Sequence, residues 1–303
     1  MEQNATLTKD KKGAINVSTF SQKIHSYLKH PFSLLVWIIT ILAALLTAAS
    51  FVYLVLYILI KGVPYLRPEL FSWTYDSNNV SMLPSIINTF LLTALSLVIS
   101  VPLGIFAAIY MVEYAKKGNR IVKFIRVTAE TLSGIPSIVY GLFGMIFFVG
   151  VLKMQLSLLS GSLTVAIMVL PTIMRTTEEA LLSVPQSYRE GSFGLGAGKL
   201  RTVFRIVLPS AVPGILSGVI LATGRIVGET AALIYTAGTM AKVPNNLFAS
   251  ARTLSVHMYL LSNEGLHTNE AFAAVVLLVF VMLINMLANF VARRLSAKNA
   301  END

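Results

Sequence analysis

Two ionisable residues, Arg225 and Glu229, stand four apart inside an otherwise charge-free stretch, 206–241. Hydrocarbon makes each of them expensive, at about 2.5–3.5 kcal/mol on insertion scales, so each needs a partner or water. On a helix advancing about 100° per residue, Gly214, Gly218, Arg225 and Glu229 fall within one narrow face. Charges above a glycine stripe have two readings. They form a mutual salt bridge that fixes helix packing, or they line a polar face along which a solute crosses the membrane. Arg175 ends another apolar stretch and has Glu178 and Glu179 within helical reach, so it reads equally as a boundary ion pair.

Other chemistries find little support. The absence of cysteine excludes disulfides, thiolate metal sites and thiol nucleophiles. His257 and His267 lack metal-ligand spacing and read as surface or packing residues of an external loop. No Gly-x-Ser-x-Gly elbow is present. Asn88, Ser133, Ser137 and Thr223 read as hydrogen-bonding partners between helices. The run Gly194-Leu195-Gly196-Ala197-Gly198-Lys199-Leu200 resembles a phosphate loop only superficially. Such a loop needs glycine where Phe193 stands and Ser or Thr where Leu200 stands, so the chain itself is expected to bind neither ATP nor magnesium.

The elements that must position these residues are membrane helices. Of 303 residues, 55% are hydrophobic and only 13% charged, about half the charge of a soluble domain. Mean hydropathy is +0.72. Charge-free windows cover 31–60, 77–112, 131–152, 154–174 and 271–292, and 206–241 is the sixth. Each is long enough to cross a bilayer as a helix, and no closed barrel shows runs of this length. The expectation is an all-α membrane protein of six transmembrane helices, with 31–60 a retained anchor rather than a cleaved leader.

Basic residues set the orientation. With the N-terminus inside, 17 of the 24 Lys and Arg lie in cytosolic segments and 5 outside. This bias predicts that both termini are cytosolic. The basic balance is therefore a topological label, and no basic-aromatic surface remains for nucleic acid. The segments divide into a basic tail at 1–33, a first span at 34–60, a core at 83–292 with a cytosolic loop at 178–209, and a tail at 293–303. An apolar stripe in the loop 242–269 (Leu247, Phe248, Leu254, Met258) rests on the membrane surface or gates the outer mouth.

The cytosolic loop carries a family resemblance. It reads Glu190-Gly191-Ser192, three residues, Gly196, nine residues, Ile206, one residue, Leu208-Pro209. This spacing is similar to the Glu-Ala-Ala signature of ABC importer permeases, with Gly191 and Ser192 in place of alanines. The resemblance implies the type I ABC importer permease fold and a coupling helix, with Glu190, Gly191, Ser192, Gly196 and Ala197 docking into a groove of a cytosolic ATPase. Gly134 through Gly144 and Gly224 through Ala231 resemble phosphate importer permeases, and Leu254 through Leu261 with the final span resembles the PstA-type partner.

Several expectations come with that resemblance. Arg225, Glu229 and Arg175 match positions associated with phosphate passage. Arginine offers fixed, permanently charged donors to phosphate oxygens, and a carboxylate can accept the phosphate O–H that sulfate lacks. The chain is then a non-catalytic, multi-pass subunit of the bacterial inner membrane, surrounded by lipid and importing inorganic phosphate by alternating access. It requires a sister permease as heterodimer partner, two ATPase subunits that bind ATP and magnesium, and an extracytoplasmic phosphate-binding protein. A permease for molybdate, sulfate or phosphonate is the nearest alternative. A non-transporting scaffold that relays transporter state to a signalling partner, or a self-sufficient channel or carrier, is more distant.

Overall fold

The computed structural model describes residues 31–116, 118–265 and 267–279. It divides into two bodies, one ending at Tyr57 and the other beginning at Ile58. The first body is the greater part of α1 (Pro31–Gly62), a 32-residue helix uncharged until Lys61. At 1.5 Å per residue it is about 48 Å long, more than a bilayer core requires. Its hydroxyls are satisfied locally: Thr40 and Thr47 donate to the carbonyls of Val36 and Ala43 one turn back.

The second body is built around α5 (Leu158–Ser183), which packs against α2 (Leu83–Ile109) on one side and α8 (Leu208–Val227) on the other. Val165, Met168, Val169 and Ile173 of α5 are inaccessible. Small residues let the helices approach closely. Ser96 of α2 donates both to Leu92 of its own helix and to Ser162 of α5, and a Cβ on Gly104 would lie 2.8 Å from Ile173. Without water, a hydroxyl that returns to its own backbone removes its desolvation cost and leaves van der Waals contact to hold the seam.

Four of the expected spans are long apolar helices: Pro31–Tyr65, Leu83–Tyr114, Leu158–Ser183 and Lys199–Val227. The window 131–152 is not one straight span. Helix α3 (Arg120–Ser133) and α4 (Ser137–Gly144, continued to Val151 by a wide π-turn) meet at 104° across Gly134-Ile135-Pro136. Proline bars the residue before it from α conformation and cannot donate to the preceding turn, so the break sits there. For the final window, helix α11 (Thr268–Val279) is described, and 280–292 lie outside the described residues, as do the N-terminal tail before Pro31 and the C-terminal tail.

Two further π-turns mark the same end of the bundle, Tyr110–Tyr114 closing α2 and Val203–Val207 opening α8. Between α5 and α8 lie the short helices α6 (Gln186–Gly194) and α7 (Lys199–Thr202). Beyond α8 come α9 (Ala231–Ile234) and α10 (Leu254–Glu264), which packs against α2. Among the described residues the chain is entirely helices and loops, without a strand.

Candidate functional site

Arg225 and Glu229 do not share a helix. Helix α8 ends at Val227, where the amide of Gly228 still returns to Gly224, and Glu229 lies beyond it. Its carboxylate turns to the next element: Oε1 accepts from the Ala232 amide at 3.0 Å, satisfying one of the orphan donors at the start of α9. Its backbone carbonyl accepts from the Ser255 hydroxyl of α10 at 2.6 Å. Glu229 is thereby fixed and buried, with its second carboxylate oxygen left without a hydrogen bond among the described residues.

Arg225 is the opposite case. It is half-buried in the last turn of α8 and makes no hydrogen bond or ion pair among the described residues. Its charge reaches Tyr140 of α4, whose hydroxyl is already donated to the Leu132 carbonyl at 2.8 Å. A guanidinium removed from bulk water without a protein partner leaves all its donors open to an anion.

The glycines beneath Arg225 have a different role from the one their alignment suggests. A Cβ on Gly214 would lie 2.6 Å from Ala180, and one on Gly218 would collide with Thr176. Both glycines are therefore the seam between α8 and α5, not an open face.

Arg175 is exposed and its Nε lies 3.1 Å from Glu179 Oε1. Arg126 of α3 pairs with Glu178. Both pairs, with Glu130 and Ser133, line a cleft of about 420 Å³ between α3 and α5. Leu221, one turn before Arg225, closes it on the α8 side, and neither Arg225 nor Glu229 reaches its lining. No motif marked Arg126 or Glu130. Their spacing of four is the local signal that puts them on one face.

The loop between α5 and α8 is held by side chains. Ser192 is buried and shares a hydrogen bond of 2.8 Å with Thr202, tying α6 to α7. Gly196 turns the chain at φ +80°, after which the Ala197 amide returns to the Ser192 carbonyl. Glu190 and Gly191 face outward, and Leu195 is 90% exposed. The one buried cation of the region among the described residues is Arg189, which no motif marked. It reaches Glu113, 76 positions earlier, with Nη2 at 2.7 Å and Nε at 3.0 Å from Oε1. It also donates to the carbonyls of Leu181 and Val184.

At the far end of the second body, His257 is fully buried, which removes the surface reading. Its Nδ1 accepts from Arg252 at 3.1 Å, and Arg252 also stacks over Tyr75 at 5.0 Å and donates to the Thr239 carbonyl. Burial chiefly, and the neighbouring Arg252 charge next, push the His257 pKa down to about 3, with the Val80 backbone opposing. Asn88 of α2 donates to the carbonyls of Lys242 and Arg252, anchoring that loop to the bundle.

With this geometry in view, the chain resembles known proteins as follows. A family model described as "Binding-protein-dependent transport system inner membrane component" matches residues 100–300. The probable ABC transporter permease protein YqgI of Bacillus subtilis (strain 168) is 34% identical over 282 residues, 86% of this chain and 95% of its own. The phosphate transport system permease protein PstA 1 of Mycobacterium tuberculosis (strain ATCC 25618 / H37Rv) is 36% identical over 205 residues, covering 65% of this chain and 66% of its own. A bacterial alginate ABC transporter, solved with a pentasaccharide-bound periplasmic protein, contains a chain with TM-score 0.66 at 16% identity, covering 89% of this chain and 98% of that one. The inward-facing MetNI methionine ABC transporter gives TM-score 0.56 at 20% identity, covering 70% and 93%. At such identities these two structures speak to the fold alone.

Proposed function

The chain belongs to the family of binding-protein-dependent transport system inner-membrane components, and on that premise we propose that it is the PstA-type subunit that passes inorganic phosphate inward in an ATP-driven importer of the bacterial inner membrane. The substrate reading rests on the naming of phosphate for several relatives 30–39% identical. One observation carries it physically: the half-buried, unpartnered guanidinium of Arg225.

Phosphate near neutral pH carries one or two negative charges and at least one O–H. Arg225 supplies permanent donors to its oxygens. Glu229, pinned by the Ala232 amide, keeps one oxygen free to accept the phosphate O–H. A carboxylate beside the anion also weakens its hold, and a site that conducts must release what it binds. Arg175, paired with Glu179 in the cleft it lines with Arg126, is the second cation assigned to the pathway in this proposal.

A binding protein delivers phosphate at the outer face, a sister permease supplies the other half of the pathway, and two ATPases bind and hydrolyse ATP. Residues Glu190 to Ala197 present the docking loop to those ATPases, and the spans respond by alternating access.

Uptake of labelled phosphate tests this in cells that lack their own high-affinity system, with the companion subunits supplied. ATP-dependent uptake that resists excess sulfate, and falls at least about 100-fold with Arg225→Ala in an assembled complex, is the expected result. Normal uptake by that variant removes Arg225 from the pathway. Uptake abolished by sulfate or molybdate reassigns the substrate.

A further inference from the structure

The loop that meets the ATPases is made of compliant chain. Gly191, Gly194, Gly196 and Gly198 all have open space where a Cβ would stand, so no packing stiffens them. Helix α6 is joined to α5 only by Val184 and Pro185. A push on such a loop would be absorbed by backbone rotation unless something braces it.

The brace from α6 to α2 and α5 is one side chain. Arg189 projects from α6 and is about nine-tenths buried, as is Glu113. Its Nε and Nη2 both meet Glu113 Oε1 at 3.0 and 2.7 Å, on the π-turn that closes α2. Its Nη1 and Nη2 also donate to Val184 and Leu181, carbonyls at the C-terminus of α5 that have no partner within the helix. A planar, permanently charged fork is the side chain that can do all of this at once, and a cation is favoured where a helix ends.

We infer that Arg189 is the positioning residue that locks the coupling loop to two membrane helices, so that ATPase motion moves α6, α2 and α5 as one unit. This rests on the permease reading and adds to it the residue through which the force passes. Losing Arg189 leaves α6 tied to α7 through Ser192 and Thr202 but cut from the ends of α2 and α5, and the complex hydrolyses ATP without moving the spans.

The test uses the complete importer in proteoliposomes, measuring phosphate uptake per ATP hydrolysed. Arg189→Ala is expected to keep hydrolysis within about 2-fold and to lose uptake per ATP at least about 10-fold. Glu113→Ala, which releases α2 but leaves the α5 contacts, is expected to lose about 5-fold, and Glu113→Gln, whose amide oxygen still accepts, to recover most of it.

A second readout does not depend on the substrate. The chain has no cysteine, so spin labels can be placed at Ser187→Cys and Lys116→Cys alone. The native complex is expected to hold one narrow distance with and without nucleotide, and Arg189→Ala to broaden it. A native distance that itself changes with nucleotide, or an Arg189→Ala complex that stays narrow or couples normally, overturns the inference. If Arg189→Ala does not assemble, the two Glu113 variants decide by the same measurements. A native complex that hydrolyses ATP but moves no phosphate defeats the substrate reading, and the label distances then judge Arg189 independently.

Discussion

Glycine serves opposite ends in the two functional regions. Around α4, α5 and α9 it marks where no side chain fits: a Cβ on Gly141 would lie 2.7 Å from the Ala232 backbone, and one on Gly161 2.7 Å from Ala237. In the coupling loop four glycines have nothing within 4 Å. The first set brings α4 against α9, whose Ala232 amide holds Glu229. The second set leaves space around the backbone, and Arg189, with the Ser192–Thr202 bond, ties that loop down. A dense region held by backbone contact therefore contrasts with a looser one held by side-chain hydrogen bonds.

The comparison breaks most readily at Gly141. Gly141→Ala forces Ala232 backbone aside and is expected to destabilise by about 3 kcal/mol, read as a lower melting temperature of the purified complex. An unchanged melting temperature would mean that α4 and α9 are not packed as described.

Acid is the next probe. His257 is held neutral with a pKa of about 3, whereas an unfolded histidine titrates near 6.5. Between those values the unfolded chain binds more protons, so stability is full above about pH 6.5 and lost as pH falls, by about 2 kcal/mol at pH 5. His257→Gln should flatten that slope. A melting temperature equally steep in acid for both proteins would place the pH dependence elsewhere.

The loop should respond more gently. Gly196→Ala has the space but not the conformation, since φ is +80°, and is expected to cost about 1 kcal/mol. Gly191→Ala lies inside α6 with open space and is expected to gain up to about 1 kcal/mol of helix stability. Denaturant titration of the two variants checks the opposite signs. If both destabilise equally, the loop is packed and the contrast with Gly141 fails.

How much of this was legible beforehand follows the range of the interaction. Charge-free runs are local, so the membrane class and the long helices could be read directly from the chain. The docking loop is also local, because its signature depends on fixed spacing within 20 residues. The failure at Glu229 shows the limit: helical arithmetic assumes that the helix continues, yet α8 stops at Val227 because Gly228 and the Ala232 amide offer the backbone and carboxylate a different arrangement. The glycine stripe left two readings open, packing or an open polar face, and only the tertiary structure decided that α5 occupies it.

By itself the sequence determined what hydrophobicity and spacing can encode: an all-helical membrane permease, the order of its helices and the signature spacing of the loop between α5 and α8. The tertiary structure alone decided which charges distant in the chain meet. Arg189 and Glu113, 76 residues apart, pair because two helix ends arrive at the same place, and Arg225 is left open because no carboxylate of the described residues pairs with it. Burial makes both outcomes matter, since a charge removed from water must be paired, neutralised or put to use.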